Sequence, residues 1–356
     1  MTVPVRSVPV PASLASVAGR VERRLTEVLD HERDRWCDLD PDLVEPVDAL
    51  RRLVLNGGKR LRPAFCYWGF VGAGGDCDDP AVVDAGAAFE FLQAFALVHD
   101  DVMDGSATRR GSLTAHLEFA TRHTLAGWRG EARRYGDGVA ILIGDLSHVY
   151  ADLLMNGSPA PARAVWDELR IELNVGQYLD VLGTARGDTD HARARRIARY
   201  KSGKYTIERP LHVGAALAGR FDTLGAVLSA FGDPLGEAFQ LRDDILGAFG
   251  DETVTGKPVG DDLREGKPTP LLAVAVGRAA ASAAPLLGRV GSPDLDEDEI
   301  AALQWLLVDT GATGEIEATI EALTDEAIAA IERAPVTDEA RVALVELAHY
   351  VAWRER

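Results

Sequence analysis

Cysteine is scarce in this 356-residue chain: Cys37, Cys66 and Cys77 are odd in number and form no CxxC pair. That count disfavours both a disulfide framework and a zinc site, and it fits a reducing compartment. Aromatic residues are few, at 6%, while Ala and Leu abound, a balance that favours helix over sheet. Positive charge is also short. Thirty-eight Lys and Arg against 56 Asp and Glu leave a formal net charge of -18. Such a chain lacks the basic face that nucleic acid requires and the basic patch that docks on anionic membranes. No unbroken run of 18 apolar residues occurs, so no membrane span is expected. The start, MTVPVRSVPVPAS, has three prolines and no signal-peptide apolar core. The protein reads as cytoplasmic, with no nucleic-acid partner and no stable membrane insertion.

What is present is helical periodicity. Residues 1–15 read as a flexible arm and 16–356 as one all-α domain. Val17, Val21, Leu25 and Val28 predict a helix over 16–29. Further helices are expected at 47–55, from Pro63 onward, and at 81–104, 138–155 and 163–182. Residues 192–219 continue the pattern with a kink or break at Pro210, and 224–249 follow. Beyond a Gly/Asp/Lys-rich loop, helices are expected at 269–285, 297–310, 314–334 and 337–353.

Residues 99–111, HDDVMDGSATRRG, crowd three carboxylates into an already acidic chain. Neighbouring like charges raise each other's pKa unless a cation stands between them. On a helix Asp100 and Asp104 share one row, and Asp101 lies three before Asp104. Such a set can hold Mg²⁺, which takes oxygen ligands from carboxylates and substrate phosphates. A solvated acidic face is the ordinary alternative, but the apolar stretch from Leu92 to Val98 would bury this helix. A second cluster, QLRDDILGAFGD, places Gln240, Asp243, Asp244 and Gly247 at helical spacing beneath another apolar run. Two opposed acidic pairs would be tolerable with divalent cations on a diphosphate between them.

The cations fall into ordered groups. GGKRLRP sets Lys59, Arg60 and Arg62 at the start of a helix, where backbone N–H groups also favour anions. Arg109 and Arg110 follow the first acidic cluster. Lys201 and Lys204 lie in RYKSGKYT, and Lys257 and Lys267 in TGKPVGDDLREGK.

In this order GGKRLRP, EFLQAFALVHDDVMD, RRG, YKSGKYT, FQLRDDILGAFGD and TGKPVGDDLREGK resemble the trans-isoprenyl diphosphate synthases, over roughly residues 50–270. The resemblance implies an all-α fold around a deep central cavity, usually a homodimer. It also implies Mg²⁺-dependent 1'-4 condensation of isopentenyl diphosphate with an allylic diphosphate, with three ions per active site. By position, Asp100, Asp101 and Asp104 would bind Mg²⁺ on the allylic diphosphate, joined by Asp243 and Asp244. Arg109, Lys201 and Lys257 would contact that diphosphate, with Lys267 beside them. Lys59, Arg62, Gln93 and Arg110 would hold isopentenyl diphosphate. Gln240 and Ser202 would lie near the reacting carbons or the leaving group. The departing diphosphate takes the proton in the family view, so His99 is expected to be structural. Gly247 stands where many relatives have a third aspartate, and Ser202 where threonine is common.

Chain length in the family is set largely beneath the first acidic cluster. Ala96 lies about 6 Å and Phe95 about 7.5 Å along the helix from Asp100. A small residue at 96 with an aromatic at 95 resembles geranylgeranyl (C20) synthases, with farnesyl (C15) or another length as the alternative. Rival readings are a class I terpene cyclase, a head-to-head condensing enzyme and a non-catalytic subunit of a heteromeric prenyl synthase. Lys59, Arg62 and the second Asp pair disfavour the first two. Retention of both acidic motifs disfavours the third.

Overall fold

The computed structural model describes residues 8–186, 199–250, 260–292 and 294–354. Helix α1 spans Ala12–Cys37, α2 Val44–Leu55, α3 Leu61–Gly72 and α4 Pro80–Asp104. A two-strand ribbon, β1 Thr108–Arg109 and β2 Ser112–Leu113, leads to α5 Ala115–Leu125, α6 Ala132–Met155 and α7 Ala160–Arg186. A π-helical stretch, Arg199–Glu208, runs directly into α8 Arg209–Leu217, and α9 Phe221–Phe249 follows. The rest are α10 Asp261–Glu265, α11 Pro270–Arg278, α12 Ala284–Leu287, α13 Glu297–Asp309, α14 Ala312–Glu332 and α15 Asp338–Trp353. The fold is all-α, as the periodicity predicts.

Contacts divide the chain into two compact units, one of Ala12–Val165 with Pro210–Asp222, the other of the described residues of 8–11, 166–209 and 223–354. In the first, α1 buries Leu14, Val17, Val21, Leu25 and Leu29 along one stripe. Leu14 carries the helix back to Ala12, into the expected arm. Leu29 rather than Val28 joins the stripe, because 3.6 residues per turn drifts against a four-residue spacing. The stripe ends on buried Glu32, whose carboxylate accepts from Trp36 Nε1 at 3.0 Å and Tyr150 Oη at 3.2 Å. A buried charge is tolerable when its oxygens are satisfied in this way.

Helix α4 is buried continuously from Ala85 to Leu92 and packs against α1, α3 and α6. By length and composition alone α4 and α6 are both apolar enough to cross a membrane, a property that buried core helices share. In α4 the apolar character serves the core. Helix α6 buries Ala140, Ile143, Ser147, Tyr150 and Ala151 but leaves Ile141, Leu142, Val149 and Leu153 exposed along its other side.

In the second unit α9 supplies Ala238, Leu241, Ile245 and Ala248 to a core shared with Leu271, Ala275, Leu307, Ile316 and Ile320. The positions step by three and four, one face of a helix. Two expectations change in detail. Residues 199–208 are π-helical and pass straight into α8, so Pro210, with no N–H to give the helix ladder, marks the change from π to α winding. The helix expected over 269–285 stops at Arg278, short of Pro285, whose ring would clash inside a continuing helix.

Candidate functional site

Helix α4 carries Asp100, Asp101 and Asp104 in its last turns, with no basic residue there, before Gly105 (φ 67°) ends it. Carboxylates at the negative end of a helix dipole are unfavourable without a cation. One cation is internal. Arg109 on β1 donates Nε–H to both oxygens of Asp101 at 2.9 Å and Nη2–H to Oδ1 at 2.6 Å. Asp101 is 4% exposed, Asp100 half-buried and Asp104 exposed. Burial is the largest influence on Arg109 and opposes its charge. The hydrogen bonds and attraction of Asp101, with Asp100 and Asp104, outweigh it and raise the pKa.

The ribbon that delivers Arg109 was not expected from the sequence. Its register pairs Thr108 with Leu113 and Arg109 with Ser112, around a two-residue turn with Arg110 at φ 53° and Gly111 at φ 73°. Positive φ at both central positions matches the twist of a tight hairpin. For Arg110 that backbone costs on the order of 1–3 kcal/mol. Its guanidinium offsets the cost by donating Nη1–H to the carbonyls of Leu53 at 3.2 Å, Asn56 at 3.0 Å and Gly57 at 3.0 Å. Arg110 therefore ties the hairpin to the GGKRLRP turn. Withdrawal from water, with Arg60, Arg109 and Arg62 nearby, lowers its pKa against the pull of Glu90. An anion there would relieve that crowding.

Within GGKRLRP, Arg60 is structural. Its buried guanidinium pairs with Glu90, donates to Val54 O at 2.8 Å and reaches Glu22 at 3.3 Å. Lys59 and Arg62 are half-buried on either side of it. Gln93, Phe95 and Ala96 are half-buried on α4. The Phe95 ring stacks on His148 of α6 with centroids 4.8 Å apart and meets His99 edge-on, also at 4.8 Å. His99 packs against α6 with Nε2 3.0 Å from Ile141 O. A Cβ at Gly144 would lie 2.3 Å from the His99 ring, so the glycine admits it. His99 is a packing residue.

The second unit holds the other acidic pair on α9. Asp244 is 2% exposed, and Gln240 Nε2 donates to its Oδ1 at 2.8 Å. Burial pushes the Asp244 carboxyl up to about 7; Lys267 opposes this, Asp262 adds to it, Gln240 opposes and Asp243 adds. Asp243 is held by Arg354, which also donates to Phe239 O at 3.2 Å and lies over the Phe239 ring. Arg242 turns away, forked onto Glu317 at 2.8 and 2.6 Å, with Nε on Ala352 O. Lys267 Nζ stands 3.5 Å from Asp262 Oδ2, and the attraction of Asp262 leads the influences that raise its pKa. Lys204 pairs with Glu208 at 3.1 Å and Glu172 at 3.5 Å. The side chains of Lys201 and Ser202, and Lys257 entirely, lie outside the described residues.

Each unit thus brings an acidic set together with cations. Asp100, Asp101, Asp104, Arg109, Arg110, Lys59, Arg62, Gln93, Phe95 and Ala96 belong to the first; Gln240, Asp243, Asp244 and Lys267 to the second. All the acidic groups are hard oxygen donors of the kind that magnesium takes. The residues present fit that ion. Sequence reasoning gave no role to Arg354 or Asp262. Arg354 lies 111 residues from its partner and carries no local signal.

The polyprenyl synthetase family model matches residues 45–305. A geranylfarnesyl diphosphate synthase of Aeropyrum pernix is 32% identical over 337 residues, covering 92% of this chain and 99% of its own. A (2E,6E)-farnesyl diphosphate synthase of Mycobacterium bovis is 32% identical over 356 residues, 95% of this chain and 93% of its own. Among solved structures, a geranylgeranyl pyrophosphate synthase of Corynebacterium glutamicum, complexed with isoprenyl diphosphate and magnesium, superposes with TM-score 0.90 at 38% identity. The match covers 96% of this chain and 99% of that one.

Proposed function

This chain belongs to the polyprenyl synthetase family, a premise from which we propose that it makes geranylgeranyl diphosphate. It is a prenyl-transferring, chain-elongating enzyme, and the relatives named above differ in the length of their products. The proposed reaction joins isopentenyl diphosphate to an allylic diphosphate, with farnesyl diphosphate as the last allylic substrate.

Asp100, Asp101 and Asp104, with Asp243 and Asp244, would hold magnesium, three ions by family resemblance. Magnesium, when bound, neutralises the charge that develops on the departing diphosphate. Arg109, Lys201, Lys257 and Lys267 would bind the allylic diphosphate and take up the same charge. Lys59, Arg62, Gln93 and Arg110 would position isopentenyl diphosphate, whose double bond attacks the allylic carbon. Gln240 and Ser202 would stand near the reacting carbons. An apolar lining of the kind that the family resemblance implies would exclude water and keep the allylic cation from being quenched to an alcohol.

The observation that carries the reading is the end of α4, where three aspartates meet an arginine delivered by a dedicated hairpin. Small Ala96 beside a packed Phe95 supports the C20 length. A homodimer is also proposed, with the exposed apolar side of α6 as the covered surface; contiguous exposed apolar patches mark association sites.

The test is incubation with Mg²⁺, isopentenyl diphosphate and dimethylallyl, geranyl or farnesyl diphosphate, followed by sizing of the dephosphorylated products. A dominant C20 alcohol is expected. A dominant C15 or C25 product would overturn the length, and no elongation at all would overturn the activity.

A further inference from the structure

The space above Gly247 is filled by a carboxylate from another helix. A Cβ built on Gly247 would lie 2.1 Å from Asp262 Oδ2 and 2.4 Å from Asp262 Cγ, far inside any real contact. Asp262, in the first turn of α10, thus occupies the place that a side chain at 247 would take. That place is one turn beyond Asp243 on the same helical row, and three residues beyond Asp244. Asp262 is 8% exposed. Its ion-pair partner, Lys267 Nζ, stands 3.5 Å away, beyond the length of a good charge-assisted hydrogen bond. The carboxylate is therefore set into the cluster by the shape of bare α9 backbone.

We propose that Asp262 is the third carboxylate of the second acidic cluster, a magnesium-holding residue brought in from α10, and that Gly247 is bare in order to admit it. The proposal rests on the prenyl-synthase reading above. An acidic group delivered from a neighbouring helix replaces one carried on α9 itself, so the gap in DDxxG removes no donor. The competing role for Asp262 is to anchor Lys267, in which case loss of either partner should affect cation binding alike.

The experiment titrates the full-length protein with Mn²⁺ and follows free Mn²⁺ by electron paramagnetic resonance, with melting curves as the check on folding. Asp262→Asn, nearly isosteric, should weaken Mn²⁺ binding by about tenfold, the lower end of what loss of a residue supporting a metal costs. The exchange variant Gly247→Asp/Asp262→Ala, which moves the carboxylate onto α9, should recover most of that loss. Lys267→Gln should leave Mn²⁺ binding unchanged or tighten it, because a nearby positive charge is removed.

A wild-type isotherm for Asp262→Asn overturns the proposal. So does a weakening by Lys267→Gln that matches Asp262→Asn, or a folded exchange variant that recovers nothing. If the exchange variant does not fold, the two single variants decide: weakening by Asp262→Asn without weakening by Lys267→Gln upholds the proposal. Condensation by the wild type, measured alongside, separates the cases. Its absence strikes the prenyl-synthase reading, while its presence with a silent Asp262→Asn strikes this proposal alone.

Discussion

Asp101 and Arg109 form a bidentate ion pair at the end of α4, with the carboxylate almost wholly enclosed and the guanidinium carried on a two-residue strand. Each member neutralises the other where no water can. A group that a ligand is to engage is thereby held in place beforehand, and the hairpin exists to present it.

Removing one partner should therefore cost stability and turnover separately. Arg109→Met leaves Asp101 buried and uncompensated, a loss of about 3 kcal/mol. Adding Asp101→Asn to it should restore much of the melting temperature but none of the activity. Asp101→Ala alone should lower turnover by orders of magnitude at saturating Mg²⁺. Recovery of condensation in the double variant, or a near wild-type rate for Asp101→Ala, would contradict the assignment.

Much of this was legible beforehand, for physical reasons that particular residues show. The stripe of Val17, Val21 and Leu25 announces α1 because a helix repeats on a scale that the sequence displays. The acidic pairs stand out because like charges four apart need an explanation. The hairpin was hidden, since strands of two residues hold no alternation to read. Whether a cation serves the site was hidden too. Arg60 and Arg242 sit inside the diagnostic motifs yet pair with Glu90 and Glu317 for the core's sake. Arg354 lies outside every motif and binds Asp243. Such pairings are set by packing across long sequence distances.

Phe95 is clamped between His99 and His148 where α4 crosses α6. If its ring forms part of the floor below Asp100, Phe95→Ala should open room for another isoprene unit and move the main product beyond C20. Removal of a large buried ring also costs stability, about 3 kcal/mol or less for this half-buried position. Product sizing under the condensation conditions checks the first effect, and an unchanged distribution would remove Phe95 from the floor.

Leu142 and Leu153 are 66% and 56% exposed on the apolar side of α6. If a second copy covers them, Leu142→Glu should convert a dimer to a monomer in light scattering after gel filtration. The charge would be desolvated only in the dimer, so the folded monomer should keep its helical signal. A wild type that already runs as a monomer would end this reading, as would a variant that stays dimeric.

The carboxyl of Asp244 gives a signed pH dependence for the metal-free protein. Its pKa rises from an ordinary 3.8 to about 7 on folding, chiefly through burial. Between those values the native state holds a proton that the unfolded chain has released. Stability therefore falls as pH climbs from about 4 to about 7, and this contribution is flat below and above. In EDTA, the wild-type melting temperature should decline across that window, while Asp244→Asn, which carries no titrating proton, should show a shallower decline. Magnesium competes with the same proton, so its apparent affinity should strengthen over that range and then level off. Identical slopes for wild type and Asp244→Asn would show that the charge at 244 is not the group being desolvated.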